Sequence, residues 1–254
     1  MNLKDKTLQE RKKLTRSYPV LISSFPKMGK SSAVETLSDE DKARTIIYDI
    51  EGKGLPDDDE TKYRSIMKLK DSTKPHLDYL YKDEGNVKYR NLTDMMNHMR
   101  KALSHDDVDR IIIDSFTALV DEFAKHFVSV SNGFTVWTLY NGELYDWFRM
   151  LKEETYTHGK FVYVLGHYTP AKPIKDPKTG KMIVDNESEK FTKVKGSDHF
   201  RMVESHFNTV ITIEDYKFIA DNSNEFDSTR VRRSINPIET KVNCLNELEE
   251  VLTK

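Results

Sequence analysis

An α/β fold with a mostly parallel central sheet, covered by helices on both faces, is what the sequence predicts. Three observations carry this. Short apolar runs of strand length alternate with longer stretches whose apolar residues recur at helical spacing. The short runs are apolar throughout, as in strands buried on both faces. The chain has 254 residues, 37% of them hydrophobic and 10% aromatic, enough to bury a core unaided.

The elements follow in order. Residues 18–23 form a first apolar run, bounded by a loop with Pro26 and Gly29; a helix opens at Lys30 and extends to Leu37. Residues 44–50 read as a second strand, ending in Asp49-Ile50-Glu51-Gly52. Leu92, Met95, Met96, Met99 and Leu103 lie at helical spacing, with Asn91 or Thr93 available as a cap. Arg110–Asp114, three isoleucines between charged ends, is a third strand. A long helical stretch follows, with Leu139, Tyr140, Leu144, Trp147, Phe148 and Leu151 at helical intervals; residues 161–165 are a fourth strand. In open α/β sheets ligands bind beyond the carboxyl ends of the strands, so chemistry is expected there.

Composition narrows the class. Lys and Arg total 40 and Asp and Glu 42, a formal net charge of −2, so nucleic acid would have to be held by a local basic patch rather than by bulk charge. No apolar run approaches the roughly 18 residues of a membrane helix. Residues 1–16 are charged throughout, unlike a secretory signal. A single cysteine, Cys244, excludes an internal disulfide framework and a cysteine-based zinc cluster. The expectation is a cytoplasmic protein without a membrane partner. The arm at 1–16 has six basic residues against two acidic ones; it reads as a solvated helix or as a contact to a neighbouring subunit or nucleic acid.

The first strand runs into Ser24-Phe25-Pro26-Lys27-Met28-Gly29-Lys30-Ser31-Ser32. The P-loop pattern is Gly, four residues, then Gly-Lys-Ser/Thr, placed between a strand and a helix. Gly29, Lys30 and Ser31 fit, and Ser24 stands where the first glycine belongs. In such a loop backbone N–H groups wrap phosphates; the loop residues expected around them are Ser24, Pro26, Lys27, Met28, Gly29, Lys30, Ser31 and Ser32, with Pro26 lining the turn without an N–H to give. Lys30 would reach the β- and γ-phosphates of ATP, and the Ser31 hydroxyl would ligate Mg²⁺. Asp114, ending the third strand, is the expected carboxylate for the ion's water shell, from a strand expected beside that of the P-loop. Glu51, two residues past Asp49, is the candidate for orienting or deprotonating a water. His167, just past the fourth strand, can hydrogen-bond a γ-phosphate or face solvent. The acidic run Asp57-Asp58-Asp59-Glu60 reads as a solvated helix start. His199 and His206, seven apart, have no third ligand evident for a metal.

Taken together, Tyr48-Asp49-Ile50-Glu51, Ile112-Ile113-Asp114-Ser115 with Ala118-Leu119, and Leu165-Gly166-His167 resemble the RecA-type ATPase core. More closely, the chain resembles short phage-encoded RecA-fold recombinases of the Sak type: in Pro-Lys-x-Gly-Lys of the loop, Asp-x-Glu-Gly after the second strand, and the histidine after the fourth. Lys195-Gly196-Ser197 and the run 207–213 continue the likeness, which covers roughly residues 17–235. Ser24 departs from the pattern, and so does Asn208, where such proteins often have Asp. The resemblance implies a RecA-like P-loop core at 17–235 between the arm at 1–16 and a C-terminal tail at 236–254. It implies Glu51 as the water-activating carboxylate, Asp114 as the Mg²⁺ residue, and His167 as a sensor of the γ-phosphate or of DNA. It further implies assembly into a ring or filament, in a bacterial host's cytoplasm if phage-encoded, with a single-strand-binding protein as a further partner.

Residues 169–195 hold seven lysines against four acids, and 176–181 read as a hairpin tip. RecA-like proteins place a DNA-binding loop there. Lys172, Lys175, Lys178, Lys181 and Lys193 would neutralise phosphates, and Phe191 could stack a base. A solvated hairpin used for packing or subunit contact is the other reading. Arg230 and Arg232 share a strand face; Arg232 is the candidate arginine finger for a neighbour's γ-phosphate, against an edge strand protected by charge. Three function classes remain: a DNA-dependent ATPase of recombinase type, a nucleotide-gated assembly protein with little turnover, and a small-molecule kinase. The last is disfavoured because the excursion is Lys-rich and lacks arginine.

Overall fold

The computed structural model describes residues 1–53, 62–68, 77–81, 85–89, 92–130, 133, 135–168, 174–175, 179–183, 192, 203–220, 238–241 and 243–254. Eight strands form one sheet: β1 (Val20–Ser24), β2 (Thr45–Asp49), β3 (Ser65–Lys68), β6 (Arg110–Asp114), β7 (Phe161–His167), β10 (Thr209–Glu214), β11 (Lys217–Ala220) and β12 (Ile238–Glu239). Their order is β12-β11-β10-β1-β7-β6-β2-β3, parallel from β10 to β3, with β11 and β12 added antiparallel. Two small hairpins form sheets of their own, β4 (Leu77–Tyr81) with β5 (Gly85–Tyr89), and β8 (Ile174–Lys175) with β9 (Met182–Ile183). The second brackets residues 176–181.

The fully apolar strands are buried on both faces. Leu21, Ile111, Ile113, Val162 and Val164 join a core beneath α4 (Leu92–Ser104), α5 (Phe116–Val130) and α6 (Thr135–His158). Val20, Ile22, Ile112, Tyr163 and Leu165 point the other way, against α2 (Lys30–Glu35) and α7 (Leu245–Leu252). The alternation is that of a pleated strand with helices on each side. A short α3 (Asp39–Lys42), capped by Ser38, precedes β2.

Three parts of the sequence reading are corrected. The strand carrying Asp114 is not beside β1, which leads into Gly29-Lys30-Ser31: β7 lies between β1 and β6. The fourth strand continues past Leu165 through Gly166 to His167, because Gly166 has no Cβ to meet Ser23 Oγ and Thr192 Cγ2, each 2.7 Å from where it would stand. Residues 236–254, read as a tail, supply β12 and α7, and Leu245, Leu248 and Leu252 are buried. The arm at 1–16 holds α1 (Leu8–Leu14), closed by a capping box between Thr7 and Glu10, and buries Leu3. Among the described residues no helix is long and apolar enough to cross a membrane.

One core contact makes stability depend on pH. The Tyr48 hydroxyl hydrogen-bonds His98 Nδ1 at 2.8 Å under α4. Burial first, and the charge of Lys101 second, push the imidazole down to about 4 from 6.5. The folded state therefore binds fewer protons than the unfolded chain between those values, and stability is lost as pH falls through that window. About 3 kcal/mol is expected to disappear between pH 7 and pH 4 from this group. Urea midpoints of wild type and His98→Gln across that range check it; equal acid slopes for the two would remove His98 as the cause.

Candidate functional site

The parallel strands bring their carboxyl ends to one rim. Along it stand, in order, the β10–β11 turn, the loop after β1, His167, Asp114, and Asp49 with Glu51.

The loop between β1 and α2 turns on two left-handed residues, Lys27 at φ +68 and Gly29 at φ +86. Gly29 is required twice over. A side chain would be strained at that φ, and its Cβ would lie 2.6 Å from Asn243 Nδ2 and 2.9 Å from Tyr216 Cδ1. Lys30, only 5% exposed, folds back on the loop. Its Nζ donates to Ser24 O at 3.0 Å, Ser24 Oγ at 2.8 Å and Phe25 O at 3.1 Å. Burial pushes the ammonium down to about 8, against the opposing charges of Asp114 and Glu51. Ser24 thus has a definite role: its hydroxyl, where the pattern has glycine, is one of three oxygens holding the lysine.

Ser31 Oγ donates to Asp114 Oδ2 at 2.7 Å, joining the loop to the end of β6 across the intervening β7. Burial raises the Asp114 pKa; the Ser31 hydrogen bond lowers it, and Glu51 and Asp49 raise it further. Glu51 accepts from His167 Nε2 at 2.9 Å, from Ser115 Oγ, and pairs with Lys53. The His167 hydrogen bond is the largest of the effects that hold its carboxyl well below the usual carboxylate range. His167 is fixed in turn by its backbone N–H, which donates to Thr117 Oγ1 at 3.1 Å, and its buried Nδ1 has no hydrogen-bond partner among the described residues.

The fold therefore gathers Lys30, Ser31, Glu51, Asp114 and His167 at one place. The other loop residues divide. Pro26, Lys27 and Ser32 are exposed, and Ser32 Oγ donates back to Gly29 O at 3.1 Å. Met28 turns into the core that α2 covers. Lys181 is exposed and Lys175 belongs to β8. Lys172, Lys178, Lys193, Phe191, Arg230, Arg232 and His199, with the acidic run 57–60, lie outside the described residues. His206 stacks on the ring of Phe148, with centroids 4.5 Å apart.

Sequence reasoning missed Ser115, Lys53 and Thr117, which set the state of Glu51 and His167. Ser115 was legible as the residue after Asp114; the other two carry no pattern. It also missed Asn243, whose Nδ2 donates to Gly29 O at 2.6 Å from 214 residues away.

Comparison with protein-family models gives no match, and comparison with curated proteins finds no relative.

Proposed function

We propose that the chain is a Mg²⁺-dependent ATPase of the RecA type that couples ATP binding to a grip on single-stranded DNA. The observation that carries this reading is the Ser31–Asp114 hydrogen bond. A hydroxyl after Gly29-Lys30 and a strand-end carboxylate 83 residues later meet at 2.7 Å. A phosphate-bound magnesium ion calls on this pair. The pair fits the ion: both donors are hard oxygens, and Mg²⁺ takes one or two protein ligands and keeps water and phosphate oxygens for the rest. Bound there, the ion would offset the negative charge of the triphosphate.

The remaining roles follow from the same geometry. Lys30 would leave the oxygens of Ser24 and Phe25 for phosphate oxygens, which restores full charge to an ammonium that burial disfavours. Glu51, holding three donors, is a weak base; its work is to orient a water more than to take its proton. His167 contacts Glu51 from the strand that leads into the basic segment 169–195, so a change at the phosphate end has a direct route to Lys172, Lys175, Lys178, Lys181 and Lys193. A neighbouring copy in a ring or filament would offer Arg232, which makes the isolated subunit a slow enzyme. A single-strand-binding protein is a natural further partner.

A second reading has its own observation. The Ser24 hydroxyl adds a hold on Lys30, and a lysine slow to leave favours a nucleotide-gated assembly protein with little turnover. One experiment separates them: ATP hydrolysis with Mg²⁺, with and without single-stranded DNA, beside Lys30→Ala. DNA-stimulated hydrolysis lost in Lys30→Ala is the expected result. ATP binding without stimulation by any nucleic acid would sink the recombinase reading and leave the gated one; transfer of phosphate to a nucleotide acceptor would replace both with a kinase.

A further inference from the structure

The groups suited to the terminal phosphate all lie on one side of the loop after β1. Ser31–Asp114, Glu51 and His167 stand toward β7, β6 and β2. On the other side of β1 lies β10, parallel to it, whose carboxyl end reaches the same rim and turns into β11. A nucleotide with its terminal phosphate among the first set must run its sugar and base toward that turn.

The turn is Asp215-Tyr216, two residues between the paired Glu214 and Lys217, both with positive φ, at +46 and +58. Such hairpin turns favour Asn-Gly, and a bulky aromatic at the second position is disfavoured. Tyr216 is nevertheless there, 56% exposed. Its ring edge is set against Gly29, and its hydroxyl donates to Lys27 O at 3.4 Å. An aromatic ring is thus held at the rim of the loop in solvent, in a backbone state that local preference opposes.

We propose that Tyr216 is the stacking platform for the base of the bound nucleoside triphosphate. This deepens the ATP reading above and rests on it. The ring would recognise a planar heteroaromatic base by its π-face, so purines, with the larger face, would bind better than pyrimidines. The hydrogen bond to Lys27 O positions the ring but is not what binds the base.

The test is equilibrium binding by calorimetry of two probes, ATP and inorganic tripolyphosphate, each with Mg²⁺. Tyr216→Ala is expected to weaken ATP by about ten- to a hundredfold and to leave tripolyphosphate unchanged. Tyr216→Phe, which keeps the ring and loses the hydroxyl, is expected to bind ATP as wild type does and guards against a loss through misfolding. Asn243→Ala, which frees Gly29 itself, is expected to weaken both probes together. If Tyr216→Ala weakens both probes equally, the residue merely shapes the loop and the platform is refuted; if it weakens neither, the base lies elsewhere and the platform is again refuted. Wild type that binds neither probe would overturn the nucleotide site itself, an outcome distinct from the other two.

Discussion

Glu51→Gln is expected to lower ATP turnover by about 10²–10⁴-fold, the range of a lost general acid–base or water-orienting group, while ATP still binds. The substitution keeps the side chain's shape and one acceptor oxygen. His167 Nε2, at 2.9 Å from Oε1, and the Ser115 hydroxyl retain a partner. Lys53 loses its ion pair, but its side chain is 59% exposed, so no buried charge is stranded. In the proposed reading binding belongs to Lys30, Ser31 and the loop, none of which Glu51 contacts by a hydrogen bond described above. Catalysis and affinity should therefore separate in this variant and fall together in Lys30→Ala. Single-turnover hydrolysis beside direct ATP binding measures both. A Glu51→Gln protein that hydrolyses at the wild-type rate would take Glu51 out of the chemistry and leave it as an anchor for His167.

How much of this was legible in the sequence depends on how local the cause is. The run Arg110-Ile111-Ile112-Ile113-Asp114 declares a strand because burial on both faces needs no partner to be named. That Lys30, Ser31 and Asp114 would come together was legible because the pattern of strand, Gly-Lys-Ser loop, helix and strand-end carboxylate restricts residue type at fixed places. The strand order was not, since nothing in β1 or β6 says that β7 will enter between them. Glu51 could be placed at the end of the second strand, but not its low basicity, which depends first on His167 and then on Lys53 and Ser115, with His167 and Ser115 brought to it from the ends of two other strands. Tyr216 and Asn243 carry no signature at all. They matter through one glycine with no room for a Cβ, and only the folded chain brings them to it.

The C-terminal segment makes the same point with the larger energy. Residues 236–254 read as a C-terminal tail in the sequence, yet Leu245, Leu248 and Leu252 lie at helical spacing in a helix that also carries Glu247, Glu249 and Glu250. Glu249 is in fact 1% exposed. Its carboxylate takes Arg110 Nε at 2.5 Å and Nη2 at 2.6 Å, and the Tyr163 hydroxyl at 3.0 Å. Arg110, fully buried at the start of β6, also reaches Asp41 Oδ1 at 2.9 Å and lies over the Phe161 ring. Burial alone would lower the guanidinium's pKa; Glu249, with Asp41 and Tyr163 adding to it, more than reverses this and raises it above the ordinary value. Removing Glu249 leaves the buried Arg110 with Asp41 but without its bidentate partner, and removing Arg110 leaves Glu249 with the Met1 ammonium at 3.5 Å, so Glu249→Leu and Arg110→Met are each expected to destabilise the fold toward the lower end of about 3–5 kcal/mol. On a domain stable by roughly 5–15 kcal/mol that is a large share. The double variant is expected to be less damaging than the sum, because it removes both charges and fills the space with apolar atoms, although Asp41 then loses its arginine. Arg149→Ala, which breaks an exposed pair with Asp146, is the control and should shift stability by less than about 0.5 kcal/mol. Urea denaturation of the four variants beside wild type decides it. Single variants within about 1 kcal/mol of wild type would mean that water or a rearranged helix satisfies the stranded partner, and that α7 is held by its three leucines alone.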